Sequence, residues 1–256
     1  PTVPALAGAR PAIELAGTVD DLGCHVDELG LGTPDSARMG PEELVPRLAA
    51  AVRERFGESA PQVSVVDGIS ANALAGPRSI RLRRDASFTD RDGAQLLQHE
   101  AFVHVLTSLN GLQQSELPIL AAGHPGTTRT QEGLAVFGEF ITGTIEPDRL
   151  RRLADRTTAI QMAIDGADFL QVYRFFEERT GGADQAFENA RRVFRGGVLT
   201  GGAPFTKDVV YLDGLLGITN FVRIAVTEGR ADCLLLLFCG KLDLEDVPAL
   251  AVLAKA

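Results

Sequence analysis

The sequence predicts an α+β fold, mainly α, with a small N-terminal sheet and a helical C-terminal half. Three observations carry that expectation. Two short segments in the first third of the chain, 62–66 and 79–83, alternate apolar with polar side chains, as half-buried strands do. A long apolar segment follows Thr89 and Asp90, good helix-capping residues. From Thr130 onward, helical patterns succeed one another, separated mostly by Gly or Pro.

Taken in order, residues 1–40 are rich in Gly, Pro and Asp with no sustained period. They are expected to form an irregular N-terminal arm over 1–30, with one short strand around Ile13 to Val19. Residues 31–256 then form a single domain, a size compatible with one substantial core. Leu44, Leu48, Val52 and Phe56 recur at four-residue steps from Pro41 until Gly57 supplies a stop, with Pro46 tolerated near the first turn. Val63/Val65 and Ile80/Leu82 each mark one face of a strand, and the two strands could pair. A long helix is expected from Thr89 through Leu96, Leu97, Phe102, Val103 and Leu106 to a stop at Asn110-Gly111. Further helices are expected at about 130–143, 147–165, 167–179, 183–195, 206–228, 231–239 and 244–254.

Composition narrows the function. Hydrophobic residues make up 45% and charged residues 23%, which places the chain among ordinary globular domains. The formal net charge of −9 argues against nucleic acid as a partner. The densest basic cluster, Arg78 to Arg84, reads as a solvated strand face. The longest apolar run, Cys233 to Cys239, is far short of the roughly 20 residues that span a bilayer, so no membrane partner is expected. Cys24, Cys233 and Cys239 are an odd count without metal-site spacing, which suits a reducing compartment and a cytoplasmic location. Arginine outnumbers lysine 22 to 3, a bias that associates with a bacterial source.

Chemistry concentrates in His99-Glu100-Ala101-Phe102-Val103-His104. Two imidazoles and a carboxylate within six residues of an apolar helix are the ingredients of a metal site, and the chain holds only four histidines. An interior carboxylate there also needs a cation or a donor to offset its desolvation. The spacing is unusual. The familiar zinc-protease motif separates its histidines by four positions. Here the separation is five, which at roughly 100° per residue sets the rings about 140° apart on an ideal α-helix. A single π-bulge, bonded from i to i+5, would realign them, and one is expected between His99 and His104. A catalytic metal needs a third protein ligand. Glu132, 33 positions past His99 and near the start of the next predicted helix, and His124, in the Gly-rich turn before it, are the candidates. Glu132 also reads as a first-turn glutamate favoured by the helix dipole. Glu139, seven positions further on, is placed to orient a histidine.

At these residues the chain resembles the QEGLA-motif proteins, a family that includes the microtubule-associated tyrosine carboxypeptidases and bacterial members labelled flavohemoglobin expression-modulating. The likeness runs from about Leu31 to the C-terminus. It rests on HEAFVH at 99–104, LNG at 109–111, TQEGLA at 130–135, FRGG at 194–197, FTKDVVYL at 205–212 and GKLDLEDVP at 240–248. The resemblance implies a zincin-like metallopeptidase domain with one Zn2+ per chain, held by His99, His104 and Glu132, with Glu100 as the catalytic base. It implies removal of a C-terminal residue, tyrosine in the eukaryotic members, from a peptide or protein.

Two further roles follow from that chemistry. The developing oxyanion needs a donor besides the metal, and Tyr211, one of two tyrosines, is the candidate; a packed core tyrosine is the other reading. The terminal carboxylate of a substrate needs a fixed cation. Lys207, four positions before Tyr211 and one of three lysines, ranks first, followed by Arg195 and then Arg129. Two other functions compete. In a zinc-binding, non-hydrolytic regulator the metal would hold two helices together through a fourth protein ligand such as His124. A hydrolase acting on a small acyl compound would keep the metal chemistry and lose the need for a free C-terminus.

Overall fold

The computed structural model describes residues 12–28, 37–69, 71–180 and 182–254. They form a mainly helical α+β fold with one small sheet, as the sequence predicts. The chain divides into two compact units: the described residues within 34–145 and 217–256, and those within 8–33 and 146–216.

In the first unit, helix α2 (Pro41–Phe56) opens with Pro41 at its first position and buries Leu44, Leu48 and Val52 along one stripe. Gly57 ends it at φ 56°, a conformation that favours glycine. Strands β1 (Gln62–Val66), β2 (Ala73–Gly76) and β3 (Ser79–Arg83) lie in the order β1-β3-β2. The expected pair is there, parallel, with Val63 opposite Ile80 and Val65 opposite Leu82. Strand β2 is an addition: its sequence, Ala-Leu-Ala-Gly, lacks the β-branched residues that mark strands, and only antiparallel pairing with β3 reveals it. Arg83 and Arg84 in the basic segment pair with acidic neighbours, Arg83 with Asp85 and Arg84 with Asp67 and Glu42.

The helix after Thr89 is three helices in one rod. Thr89 caps α3 (Asp90–Leu96), its side chain accepting from the Asp92 N–H while the Asp92 carboxylate accepts from Thr89. A π-helix over Leu97–Val105 follows, nine residues where a single bulge was expected, and then α4 (Leu106–Leu112). The expected stop at Asn110-Gly111 is passed. Gly111 is there for space: a Cβ on it would meet the Leu120 carbonyl oxygen at 2.2 Å. The π-helix lies between two cores. Ala101 and Val105 join α2, the sheet and Phe88, whereas Val103 joins Leu134, Ala135, Ile218 and Phe221.

Helix α5 (Pro125–Ile141) starts five residues earlier than expected, with His124 as N-cap and Pro125 in the first turn. Glu132 is therefore two turns inside the helix, which weakens its reading as a first-turn glutamate favoured by the dipole. The unit closes with residues 217–227 of α9 (Val210–Thr227), then α10 (Ala231–Leu236) and α11 (Val247–Leu253). Among the described residues, Lys207–Thr227 is long and apolar enough by composition to cross a membrane. Its residues Ile218, Phe221 and Ala225 are core side chains of this unit.

The second unit contains α1 (Ala12–Glu28), α6 (Pro147–Ile164), α7 (Phe169–Thr180) and α8 (Ala183–Val193). The irregular arm with a strand near Ile13 to Val19 is corrected here: the segment is helical. Ala12, Ala16 and Val19 recur at helical spacing and are buried, and α1 packs on α6. The signal was weak because Ala and Gly stand where larger apolar residues usually mark a face. Arg179 ties α1 and α6 to α7, pairing with Asp20 and Asp155 at 2.8 Å each. The unit's core is Ala159, Ile160, Val172, Phe176, Ala186 and their neighbours.

Candidate metal centre

The π-helix changes what five-residue spacing does. With hydrogen bonds running i to i+5, residues five apart come into line. The rings of His99 and His104 stand edge to face with centroids 4.8 Å apart. Helix α5 packs on this segment and brings Glu132 to both rings. His99 Nε2 is 3.5 Å, and His104 Nε2 3.6 Å, from Glu132 Oε2. One ligand atom from each residue lies within 4.8 Å of the others, a group that could hold a metal ion.

The donor set fits a small dication. Bonds of about 2.0–2.1 Å in tetrahedral geometry place neighbouring donors about 3.3 Å apart, close to the separations from Glu132. Side-chain exposures of 7%, 19% and 12% for His99, His104 and Glu132 mark the His104 side as the more open. Burial alone would raise the Glu132 carboxyl. His104 and then His99 outweigh it and hold the group well below the ordinary carboxylate range, so it stands ready as an anionic ligand.

A buried network orients the first histidine. His99 Nδ1 is 2.6 Å from Glu139 Oε1, and Gln95 Nε2 donates to the same oxygen at 2.9 Å. That oxygen is an acceptor, so Nδ1 carries a proton, and Nε2 is the nitrogen turned toward Glu132, where a metal ion would replace any proton it holds. Glu139 is fully buried on α5, seven positions after Glu132. Thr107 Oγ1, one turn after His104, donates to Gln131 Oε1 at 2.8 Å and ties α4 to α5 beside Glu132. Leu244 N–H donates to the buried Thr130 hydroxyl on the same helix.

Glu100 is 8% exposed, and its Oε2 accepts from the Ala75 backbone N–H at 2.9 Å. The register explains that donor. Arg83 N–H bonds to Asn72 O, so Asn72, Leu74 and Gly76 turn their backbone groups to β3, while those of Ala73 and Ala75 point off the sheet edge. Sequence reasoning named Glu100 and Glu139 but missed Ala75 and Gln95. A backbone donor on an Ala/Gly strand leaves no side-chain signal, and Gln95 looks like any helix glutamine.

His124 is not in the group. It is exposed at the N-cap of α5, where its Nδ1 accepts from the Gly126 N–H at 3.2 Å. Arg129 is half-buried on α5, three positions before Glu132.

Tyr211, Lys207 and Arg195 belong to the second unit. Lys207 opens a 3-10 turn, Lys207–Val209, and Tyr211 stands in the first turn of α9, which follows it, where one continuous helix over 206–228 was expected. A 3-10 turn advances 120° per residue, and it leaves Lys207 exposed and its neighbour Asp208 buried. Arg195 is exposed and stacks on the Phe205 ring, 4.5 Å from its centroid.

A family model described as microtubule-associated tyrosine carboxypeptidase matches residues 1–256, the N-terminal residues included. No curated protein is similar enough to match.

Proposed function

The chain belongs to the microtubule-associated tyrosine carboxypeptidase family, and from that premise we propose a zinc-dependent carboxypeptidase that removes a C-terminal residue, with tyrosine as its preferred end, from a peptide or protein. The observation that carries this reading is the convergence of His99, His104 and Glu132 beside a buried glutamate, Glu100. Those three residues would hold the ion. When bound, zinc supplies Lewis acidity that lowers the pKa of water toward about 7 and polarises a carbonyl.

The remaining work falls to the chain's own groups. Glu139 holds His99 in the tautomer that offers Nε2. Glu100 takes the proton of the attacking water and passes it to the leaving amine, with the Ala75 N–H fixing one of its two oxygens. From the sequence chemistry alone, Tyr211 is the candidate donor to a developing oxyanion, and Lys207, then Arg195, then Arg129 are the candidates for a substrate's terminal carboxylate. Cytoplasmic location is part of the same proposal and rests on the odd cysteine count.

A non-hydrolytic zinc protein would need a closed site. His124, the nearest candidate for a fourth ligand in the sequence, is occupied in capping α5, which favours the hydrolase.

The test is zinc content per chain after dialysis, for the parent beside His104→Ala, Glu132→Ala and Glu100→Gln, followed by cleavage of peptides ending in free or amidated tyrosine. About one zinc is expected in the parent and in Glu100→Gln and little in the other two. Only free C-termini should be cut, and Glu100→Gln should not cut them. A parent that holds no zinc after resupply, or Glu132→Ala at full affinity, ends the metal assignment. Cleavage of amidated ends ends the carboxypeptidase reading.

A further inference from the structure

In the unit built from α1 and α6–α8, two guanidinium groups face one carboxylate. The Asp208 side chain is 3% exposed, and Arg192 engages both of its oxygens, Nη2 on Oδ1 at 2.8 Å and Nε on Oδ2. This is a bidentate pair that uses the anion's charge and its best lone pairs. Arg156, on α6, approaches the same carboxylate without bonding to it. Its Nε is 3.9 Å from Asp208 Oδ2, beyond hydrogen-bond reach. That Nε is also a buried donor with no hydrogen-bond partner.

Two guanidinium groups thus face the one Asp208 carboxylate, in a place where only 25% of the Arg156 side chain meets solvent. Burial pushes the Arg156 guanidinium down to about 10 against the pull of Asp208; Arg192 and Arg149 add to the lowering, and Tyr211 opposes it. A buried arginine with an orphan donor is costly, and folded proteins seldom keep one without a use. A purely structural triad would let Arg156 hydrogen-bond Asp208. Here the carboxylate is spent on Arg192, which it holds in place, and Arg156, a quarter of whose side chain is exposed, is left short of counter-charge. Neither Lys207, exposed on its 3-10 turn, nor Arg195, stacked on Phe205, combines burial with excess charge in this way.

We propose that Arg156, backed by Arg192 and Asp208, seats an oxyanion of the carboxylate or phosphate class. The anion supplies the counter-charge that Asp208 cannot, and the planar guanidinium suits two-oxygen recognition. The site requires no metal and stands independently of the peptidase reading.

The experiment is thermal unfolding and calorimetric titration with acetate and, separately, inorganic phosphate, at constant ionic strength held with chloride. The parent is compared with Arg156→Gln, Arg156→Leu, Arg191→Gln and Glu132→Ala. Arg191 is an exposed arginine of α8 paired with Glu188 and serves as the control for general charge. The parent and Arg191→Gln are expected to bind saturably and to gain stability with added anion. Arg156→Gln should bind about tenfold or more weakly, the usual cost of losing a charge-assisted contact. Should Arg156→Gln not fold, Arg156→Leu carries the comparison, since an apolar side chain removes the uncompensated buried cation. Saturation by acetate assigns a carboxylate, and saturation by phosphate alone a phosphate ester. Glu132→Ala should bind as the parent does; loss of binding there would move the anion to the metal centre and overturn the proposal. Absence of saturable binding in the parent, or equal affinity in the Arg156 variants, overturns it as well.

Discussion

His99 Nδ1 lies 2.6 Å from the fully buried Glu139 Oε1, so the ring that faces Glu132 with one nitrogen is pinned by the other. Removing such a partner typically costs 10–100-fold in metal affinity. We expect Glu139→Gln to lower zinc affinity by roughly that range, read by competition with a chromophoric chelator. Parental affinity in this variant would show that His99 needs no orienting partner.

The hydrogen bond from Ala75 N–H to Glu100 gives a separable test of the base. Ala75→Pro deletes that one donor, and because the group points off the edge of β2 the ladder to β3 keeps its bonds. A hydrogen bond to a charged group contributes about 1.5–3 kcal/mol. The expected outcome is a fall in kcat of about 10–100-fold with zinc content unchanged. An unchanged kcat would mean that the strand does not position Glu100.

Glu132 gives the metal-free protein a specific acid response. Its carboxyl is held well below the ordinary value of 4.5, because His104 and His99 outweigh the opposing effect of burial. With the folded value depressed, the unfolded chain binds the proton more tightly in the window between the two values. The stabilisation is therefore complete above pH 4.5 and is lost as pH falls through the folded value. Urea unfolding of chelator-treated protein across pH 2–5 should show this limb as a loss of stability, and Glu132→Gln should flatten it. Equal slopes in the two proteins would contradict the assignment.

Two glycines on the scaffold around the centre should respond in opposite directions to alanine. At Gly111 a Cβ would meet the Leu120 carbonyl oxygen at 2.2 Å, so Gly111→Ala is expected to destabilise by about 1–3 kcal/mol or more. At Gly138, inside α5, the nearest foreign atom to a Cβ is Val103 Cγ2 at 3.8 Å, an ordinary contact. Gly138→Ala should stabilise by about 0.5–1 kcal/mol through helix propensity. Denaturant midpoints measure both, and a loss of stability in Gly138→Ala would reveal a constraint on α5 that the contact geometry lacks.

Much of the helical scaffold was legible because large apolar residues mark a helix face wherever they recur. Leu44, Leu48 and Val52 announced α2, and they are its buried stripe. Where small residues form the buried face the pattern failed: Ala12 and Ala16 in α1 and Ala73 and Ala75 in β2 pack closely without a large side chain to announce them. His99 and His104, being five apart, called for a local departure from α geometry, and a π-helix is present over Leu97–Val105. Its length was not readable, since it depends on two cores pulling on alternate residues of one segment, Ala101 and Val105 on one side and Val103 on the other.

By itself the sequence determined which side chains are available to a metal and to a base, because imidazoles and carboxylates in an apolar helix are scarce and their spacing is covalent. It left Glu132 and His124 open as third ligand. Tertiary packing brings Glu132, and not His124, to the rings: α5 starts at Pro125, which turns His124 into a cap and carries Glu132 two turns inward. Packing likewise decided the partners that carry no sequence signal, the Ala75 N–H on Glu100 and the share of Asp208 left to Arg156. Such relations are set by distances between segments far apart in the chain, and local periodicity, which reports only on near neighbours, does not encode them.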